Sequence, residues 1–246
     1  VVGPDAVTFM ERMYTNPWAK LGVGRCRYGL LLGEDGFIRD DGVIGRLAND
    51  RFHVTTTSGG AARVLNMMED YLQTEWPELK VWLTSSTEQW AVVALQGPNA
   101  RKLLGPFVEG LDISEAAFPH MSVASCTVAG FPARLFRVSC TGDLGFEVNV
   151  PARYGRALWE KLWEAGQQYD ICPYGTETMH VLRAEFSKRL LERAHFIEIS
   201  DDERQRRLEV SLQRRQIGRE QRPQIRRDRE ELLVEARREQ TRLRRD

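Results

Sequence analysis

Along the first 185 positions the apolar residues switch between helical spacing and short alternating runs, and each switch marks an element. Ala6, Phe9, Met10 and Met13 recur on one side of a helix opened by Pro4 and Asp5, a proline tolerated and an acid favoured in a first helical turn. Strand-like runs follow at 26–32, 43–47 and 52–57, separated by Gly33-Glu34-Asp35-Gly36 and Asn49-Asp50, which are turn chemistry. Connections this short favour antiparallel pairing. Ala61, Val64, Leu65, Met68 and Leu72 return to helical spacing until Trp76-Pro77 ends the pattern, with Met67 and Met68 as core filler.

Strands at 81–85 and 90–95 then lead through Gln96-Gly97-Pro98 into a short helix reaching Leu104. A second round places strands near 122–128, 133–138 and 146–150, and a helix from Ala152 to about Gln168 with Ala157, Leu158, Leu162 and Ala165 inward. Pro173-Tyr174-Gly175 separates it from another helix starting near Thr176. Tightly joined strands with single helices between them predict an α+β protein of mainly antiparallel sheets. Its boundary falls near 105–120, giving subdomains over 1–110 and 111–185 and an extension over 186–246.

Charge changes the picture at the far end. Of 35 basic and 35 acidic residues, 18 and 13 lie from Phe186 onward, leaving 17 and 22 before it, so an acidic body carries a basic tail. Ser200-Asp201-Asp202-Glu203 is a capping box opening a polar, Arg- and Glu-rich helix that Pro223 interrupts. Apolar residues there are too sparse for a core, so an extended helix, a partner-docked helix or disorder is expected. Its charges are interleaved without aromatics, which reads as a solvated face and argues against nucleic-acid binding.

Cys26, Cys126, Cys140 and Cys172 are far apart and read as reduced thiols, and His53, His120, His180 and His195 are equally scattered, so no metal site is expected. No run of about 18 apolar residues is present to span a bilayer. Val1-Val2-Gly3-Pro4 carries neither an initiator Met nor a basic-then-apolar signal, and the expectation is a cytoplasmic protein cut from something longer.

Three segments carry a family resemblance. They are Arg27-Tyr28-Gly29-Leu30-Leu31-Leu32 running into Gly36-Phe37-Ile38-Arg39-Asp40-Asp41-Gly42-Val43; then Leu95-Gln96-Gly97-Pro98; then Arg137-Val138-Ser139-Cys140-Thr141-Gly142-Asp143-Leu144-Gly145-Phe146-Glu147-Val148, with Gly175 to Glu185 following. In order and spacing the chain resembles the aminomethyltransferase (T-protein) family of the glycine cleavage system, and among its relatives the alpha-subunit branch of heterotetrameric sarcosine oxidases. The resemblance covers residues 1–185. It implies an aminomethyltransferase-like folate-binding fold, here truncated, whose tetrahydrofolate acceptor takes up a one-carbon unit and leaves as 5,10-methylenetetrahydrofolate. In the sarcosine oxidase branch that unit comes from sarcosine demethylated on a flavin elsewhere in the complex, which implies other, flavin-bearing subunits as partners. No flavin-binding pattern is present in this chain.

The same resemblance implies roles for four residues. Asp41 stands where the family has its folate-contacting carboxylate, and an anion suits a site where the attacking nitrogen gains positive charge. Glu147 matches the carboxylate that pairs with the pterin edge, whose adjacent N–H donors suit a two-oxygen acceptor. Arg183 matches an Arg near the folate, able to hold a carboxylate of the glutamyl tail. Tyr28 reads as core or pocket wall, and the family often has an aromatic where Cys140 stands. From the residues alone, Asp40-Asp41-Gly42 also reads as a polar turn, Glu147 as a rim residue and Arg183 as a surface cation. The competing functions are an inactive folate-binding or scaffold fragment and a module whose charged tail mediates partner interaction.

Overall fold

The computed structural model describes residues 1–194, with side chains as far as Glu185. The chain divides at Phe186/Ser187. The expected capped, proline-interrupted tail helix lies outside the described residues.

Helix α1 (Ala6–Met13) buries Ala6, Phe9, Met10 and Met13, the stripe that the spacing predicts. It ends where Tyr14 turns extended. Strands β1 (Cys26–Leu32), β2 (Ile38–Ala48) and β3 (Arg51–Val54) form an antiparallel sheet in that order. Helix α2 (Ala61–Thr74) follows and buries Val64 and Met68 against the α1 side of this sheet, together with Trp18, Leu31 and Ile44. Each such burial contributes about 1.5–3 kcal/mol, which is what holds short amphipathic helices in place.

Strand β2 begins five residues earlier than the apolar pattern implies, at Ile38. Asp40, Asp41 and Gly42 therefore lie inside it, opposite Leu31, Leu30 and Gly29, and not in a turn. Gly42 is required there, since a Cβ would collide with the Thr55 carbonyl in the segment just after β3. The strand expected at 81–85 does not form; only Trp82 pairs, with Val2, as an isolated bridge.

Strands β4 (Trp90–Gln96), β5 (Val108–Glu109), β6 (Val123–Val128), β7 (Phe131–Phe136) and β8 (Gly145–Pro151) make a second antiparallel sheet in the order β4-β8-β7-β6-β5. The sheet thus draws both edge strands, β4 and β5, from before residue 110 and its three central strands from after it. Helices α3 (Ala100–Leu104) and α4 (Gly155–Gly166) cover one face, burying Leu103, Leu104, Leu158 and Leu162 against Leu95, Leu135, Phe146, Val148 and Val150. Between the two sheets a smaller core gathers Cys26, Val123, Phe136 and Val138, with Val43 and Leu47 packed against it. Helix α5 opens at Thr176 and runs to Ala194. The architecture is the expected α+β fold with antiparallel sheets.

Candidate functional site

The face of β8 that carries Glu147 and Asn149 is the one turned away from α3 and α4, because Phe146, Val148 and Val150 fill the helix-covered core. Glu147 stands opposite Ala94 on β4 and Phe136 on β7. It lines a cavity of about 360 Å³ with Val92, Gln96, Cys140, Trp159, Trp163 and Tyr174 among its walls. Burial pushes the Glu147 carboxyl above the ordinary carboxylate range. A half-buried anion on an apolar, aromatic wall is the strongest acceptor in the cavity, and it favours a ligand presenting N–H donors.

The loop between β7 and β8 fixes this corner. Thr141 is buried to 2% exposure, and its hydroxyl donates to the Gln96 side-chain oxygen at the end of β4. Ser139 Oγ donates to the same oxygen at 3.3 Å and accepts from the Gly142 N–H at 3.1 Å. Gly145 is glycine because a Cβ there would crowd the Val138 carbonyl and the Ser139 side chain. Arg137 donates to the Gly145 carbonyl at 3.1 Å and lies 5.4 Å over the Phe146 ring, holding the start of β8 from behind.

Asp40 and Asp41 part company on β2. Asp40 shares a face with Leu31, which is in the α1/α2 core, and its carboxylate accepts from the Asp41 N–H at 2.9 Å, the Thr57 N–H at 2.8 Å and the Thr57 hydroxyl at 2.8 Å. Arg63 sits 3.5 Å from the same carboxylate. Asp41 pairs with Leu30 on the opposite face, which it shares with the Tyr28/Val43 and Cys26/Gly45 pairs. That face looks toward Phe136 and Val123 of the second sheet. Tyr28 is 44% exposed, so it is not core.

Of the four residues singled out from sequence, Glu147 lines the cavity, while Asp41 and Tyr28 occupy the first sheet's inter-sheet face outside the residues lining it. Cys26 connects the two regions, since its thiol, pushed up to about 12 mainly by burial, also feels the Glu147 charge. Arg183 is exposed on α5 and near enough to Cys140 to oppose the rise that burial and Glu147 impose on that thiol.

Sequence reasoning missed Gln96, Trp159, Trp163 and Tyr174 as wall residues, and Thr141 as the partner that holds Gln96. Gln96 reads in sequence as part of a family motif and the start of a turn, not as a wall residue, because its partner Thr141 lies 45 residues downstream. Trp159 and Trp163 fall four apart on the polar side of α4, a spacing that could have marked an aromatic wall. Among the described residues no group of His, Cys, Asp or Glu could hold a metal ion, and no helix is long and apolar enough to cross a membrane.

The comparisons with known proteins agree with one another. Over 184 residues, 74% of this chain, the sequence is 52% identical to the sarcosine oxidase subunit alpha of Corynebacterium sp. (strain P-1), of which it covers 19%. The corresponding subunit of Rhizobium meliloti (strain 1021) is 47% identical over 187 residues, 75% of this chain and 19% of the relative. The aminomethyltransferase of Symbiobacterium thermophilum is 34% identical over 194 residues, 75% of this chain and 49% of the relative. Among solved structures, glycine cleavage system aminomethyltransferase T from Bartonella henselae superposes with a TM-score of 0.56 at 29% identity, over 65% of this chain and 41% of that one. The chain thus spans about a fifth of the sarcosine oxidase subunits and about half of the aminomethyltransferase. Residues 1–205 match the family model described as the GCVT N-terminal domain, and the chain belongs to that family.

Proposed function

We propose that this chain supplies the tetrahydrofolate-facing part of a one-carbon transfer domain in a sarcosine oxidase alpha subunit, working beside other subunits that demethylate sarcosine on a flavin. The observation that carries the reading is Glu147, a desolvated carboxylate on an aromatic-walled cavity of about 360 Å³. A pterin fits these walls: its amino-pyrimidinone edge offers two adjacent N–H donors to one carboxylate, and its flat ring suits the faces of Trp159, Trp163 and Tyr174. Tyr174 offers an aromatic next to Cys140, where the family often carries its own ring.

In the proposed reaction a folate nitrogen lone pair attacks the carbon of formaldehyde, forming a C–N bond as the carbonyl π pair moves to oxygen. The nitrogen then loses its proton and the oxygen gains one. The second folate nitrogen then bonds to the same carbon as the C–O bond breaks, and its proton goes to the departing hydroxyl, which leaves as water and closes the methylene bridge. In this reading Asp41 is the carboxylate that stabilises the cationic nitrogen or takes its proton, Glu147 orients the ring, and Arg183 holds the anionic tail. Positioning supplies most of the rate.

Tetrahydrofolate titration of the 246-residue chain, followed by Trp159 and Trp163 fluorescence, tests binding. Single-turnover formation of methylenetetrahydrofolate from formaldehyde tests chemistry. Saturable binding with turnover supports the proposal; binding without turnover leaves an inactive folate-binding relative; no binding removes the cavity from folate chemistry.

A further inference from the structure

Gln96 and Glu147 lie on one face of the second sheet. Gln96 is opposite Gly145 and Ala94 is opposite Glu147, so the two polar side chains are diagonal neighbours across β4 and β8. Such diagonal neighbours stand about 7–8 Å apart between Cα atoms, within reach of one small planar group held between them. Both line the same cavity.

The hydrogen bonds sort out the carboxamide. Its oxygen accepts from the Thr141 hydroxyl and from the Ser139 hydroxyl, both on the buried side of the β7–β8 loop. Ser139 Oγ is committed in turn, accepting from the Gly142 N–H. With the oxygen held on the loop side, the amide NH2 is left for the cavity. The cavity is thus lined both by an amide with two donors and by a carboxylate that only accepts when ionised.

We infer that Gln96 is a specificity-determining residue: its side-chain NH2, aimed by Thr141 and Ser139, reads a ring carbonyl adjacent to the N–H groups that Glu147 reads. The site then recognises an acceptor–donor–donor edge, as in a 2-amino-4-oxo heterocycle, and discriminates against the 4-amino counterpart, which offers a donor to a donor. This rests on the proposed folate-type ligand and adds to it the group that tells the 4-oxo from the 4-amino ring. A site built to bond a particular polar group rejects the analogue lacking it because its own buried group is left unpaired.

The test is the ratio of two dissociation constants, for tetrahydrofolate and for its 4-amino analogue, in the full chain and two variants. Gln96→Glu keeps the shape and the acceptor for Thr141 and Ser139 but removes both donors. It should weaken tetrahydrofolate by about tenfold to a hundredfold and shift the ratio toward the 4-amino ligand. Thr141→Val keeps the volume and frees the carboxamide, and should move the ratio in the same direction by a smaller factor. If either variant weakened both ligands equally, Gln96 would be a structural prop and the inference would fall while the cavity's role stood. If wild-type protein bound neither ligand, the folate reading itself would fall and take the inference with it.

Discussion

Asp40 and Asp41 are consecutive in sequence and face opposite sides of β2, Asp40 toward the helices and Asp41 toward the gap between the sheets. The cause is the pleat of a strand, and its consequence is that two identical side chains meet different physics. If Asp41 acts on charge that develops as the folate nitrogen attacks, its stabilisation belongs to the transition state. Asp41→Asn is then expected to reduce single-turnover methylenetetrahydrofolate formation by about 100-fold to 10,000-fold while affinity falls less. An active wild type unaffected by Asp41→Asn would remove Asp41 from the mechanism.

Asp40→Asn should behave differently. Asp40 is 4% exposed and accepts three hydrogen bonds that tie β2 to the 55–57 segment, with Arg63 alongside. The carboxamide keeps one oxygen for the two backbone N–H groups but sets an NH2 against Arg63 and the Thr57 hydroxyl, and it loses the charge that strengthens these bonds. The expected cost is about 2–3 kcal/mol of unfolding free energy, read as a lowered urea midpoint with unchanged slope. A midpoint equal to wild type would mean that the Asp40 bonds hold nothing together.

What the sequence reveals here depends on how local the cause is. The α1 stripe of Phe9, Met10 and Met13 is legible because one helical face is buried along its whole length. Strand alternation shows that Asp40 and Asp41 diverge, but only pairing with β1 says which one meets the second sheet. The apolar run at 81–85 reads as a strand, yet Trp82 alone finds a partner. Gln96 and Thr141 stand inside motif segments, yet their role is not legible there for a related reason, since the bond that defines it spans two elements. Glu147 was found through its motif, whereas its desolvation comes from packing that no motif contains.

His53 sits across the inter-sheet gap, its Nδ1 2.7 Å from Arg134 Nη1 and its ring 5.5 Å from Phe136. A guanidinium only donates, so Nδ1 accepts and the imidazole is neutral. Burial first, and Arg134 second, bring its pKa down from 6.5 to about 4. Because the unfolded chain binds a proton near pH 6.5 and the folded chain only near 4, stability is full above 6.5 and is lost as pH falls through that window. The shift corresponds to about 3 kcal/mol at most. His53→Gln, whose amide oxygen can still accept from Arg134, should flatten urea-derived stability between pH 4 and 6.5. A profile as steep as wild type would assign the acid sensitivity elsewhere.

Glu147 brings stability and binding into opposition. Burial raises its carboxyl above 4.5, so between that value and its folded pKa the native state holds more protons than the unfolded chain. Stability therefore falls as pH rises through this window, and above it the ligand-free fold bears the whole cost of a desolvated charge. Glu147→Gln removes the charge, so its stability relative to wild type should grow from pH 4.5 upward and then level off. Binding should move the other way. N–H donors on the ligand favour the ionised carboxylate, so wild-type tetrahydrofolate affinity should climb over the same window, while the variant, weaker by about 1–3 kcal/mol at neutral pH, should show a flat dependence. Paired urea and ligand titrations across pH 4 to 8 measure both. Parallel curves for wild type and variant in the binding series would mean that Glu147 does not touch the ligand, whatever it costs the fold.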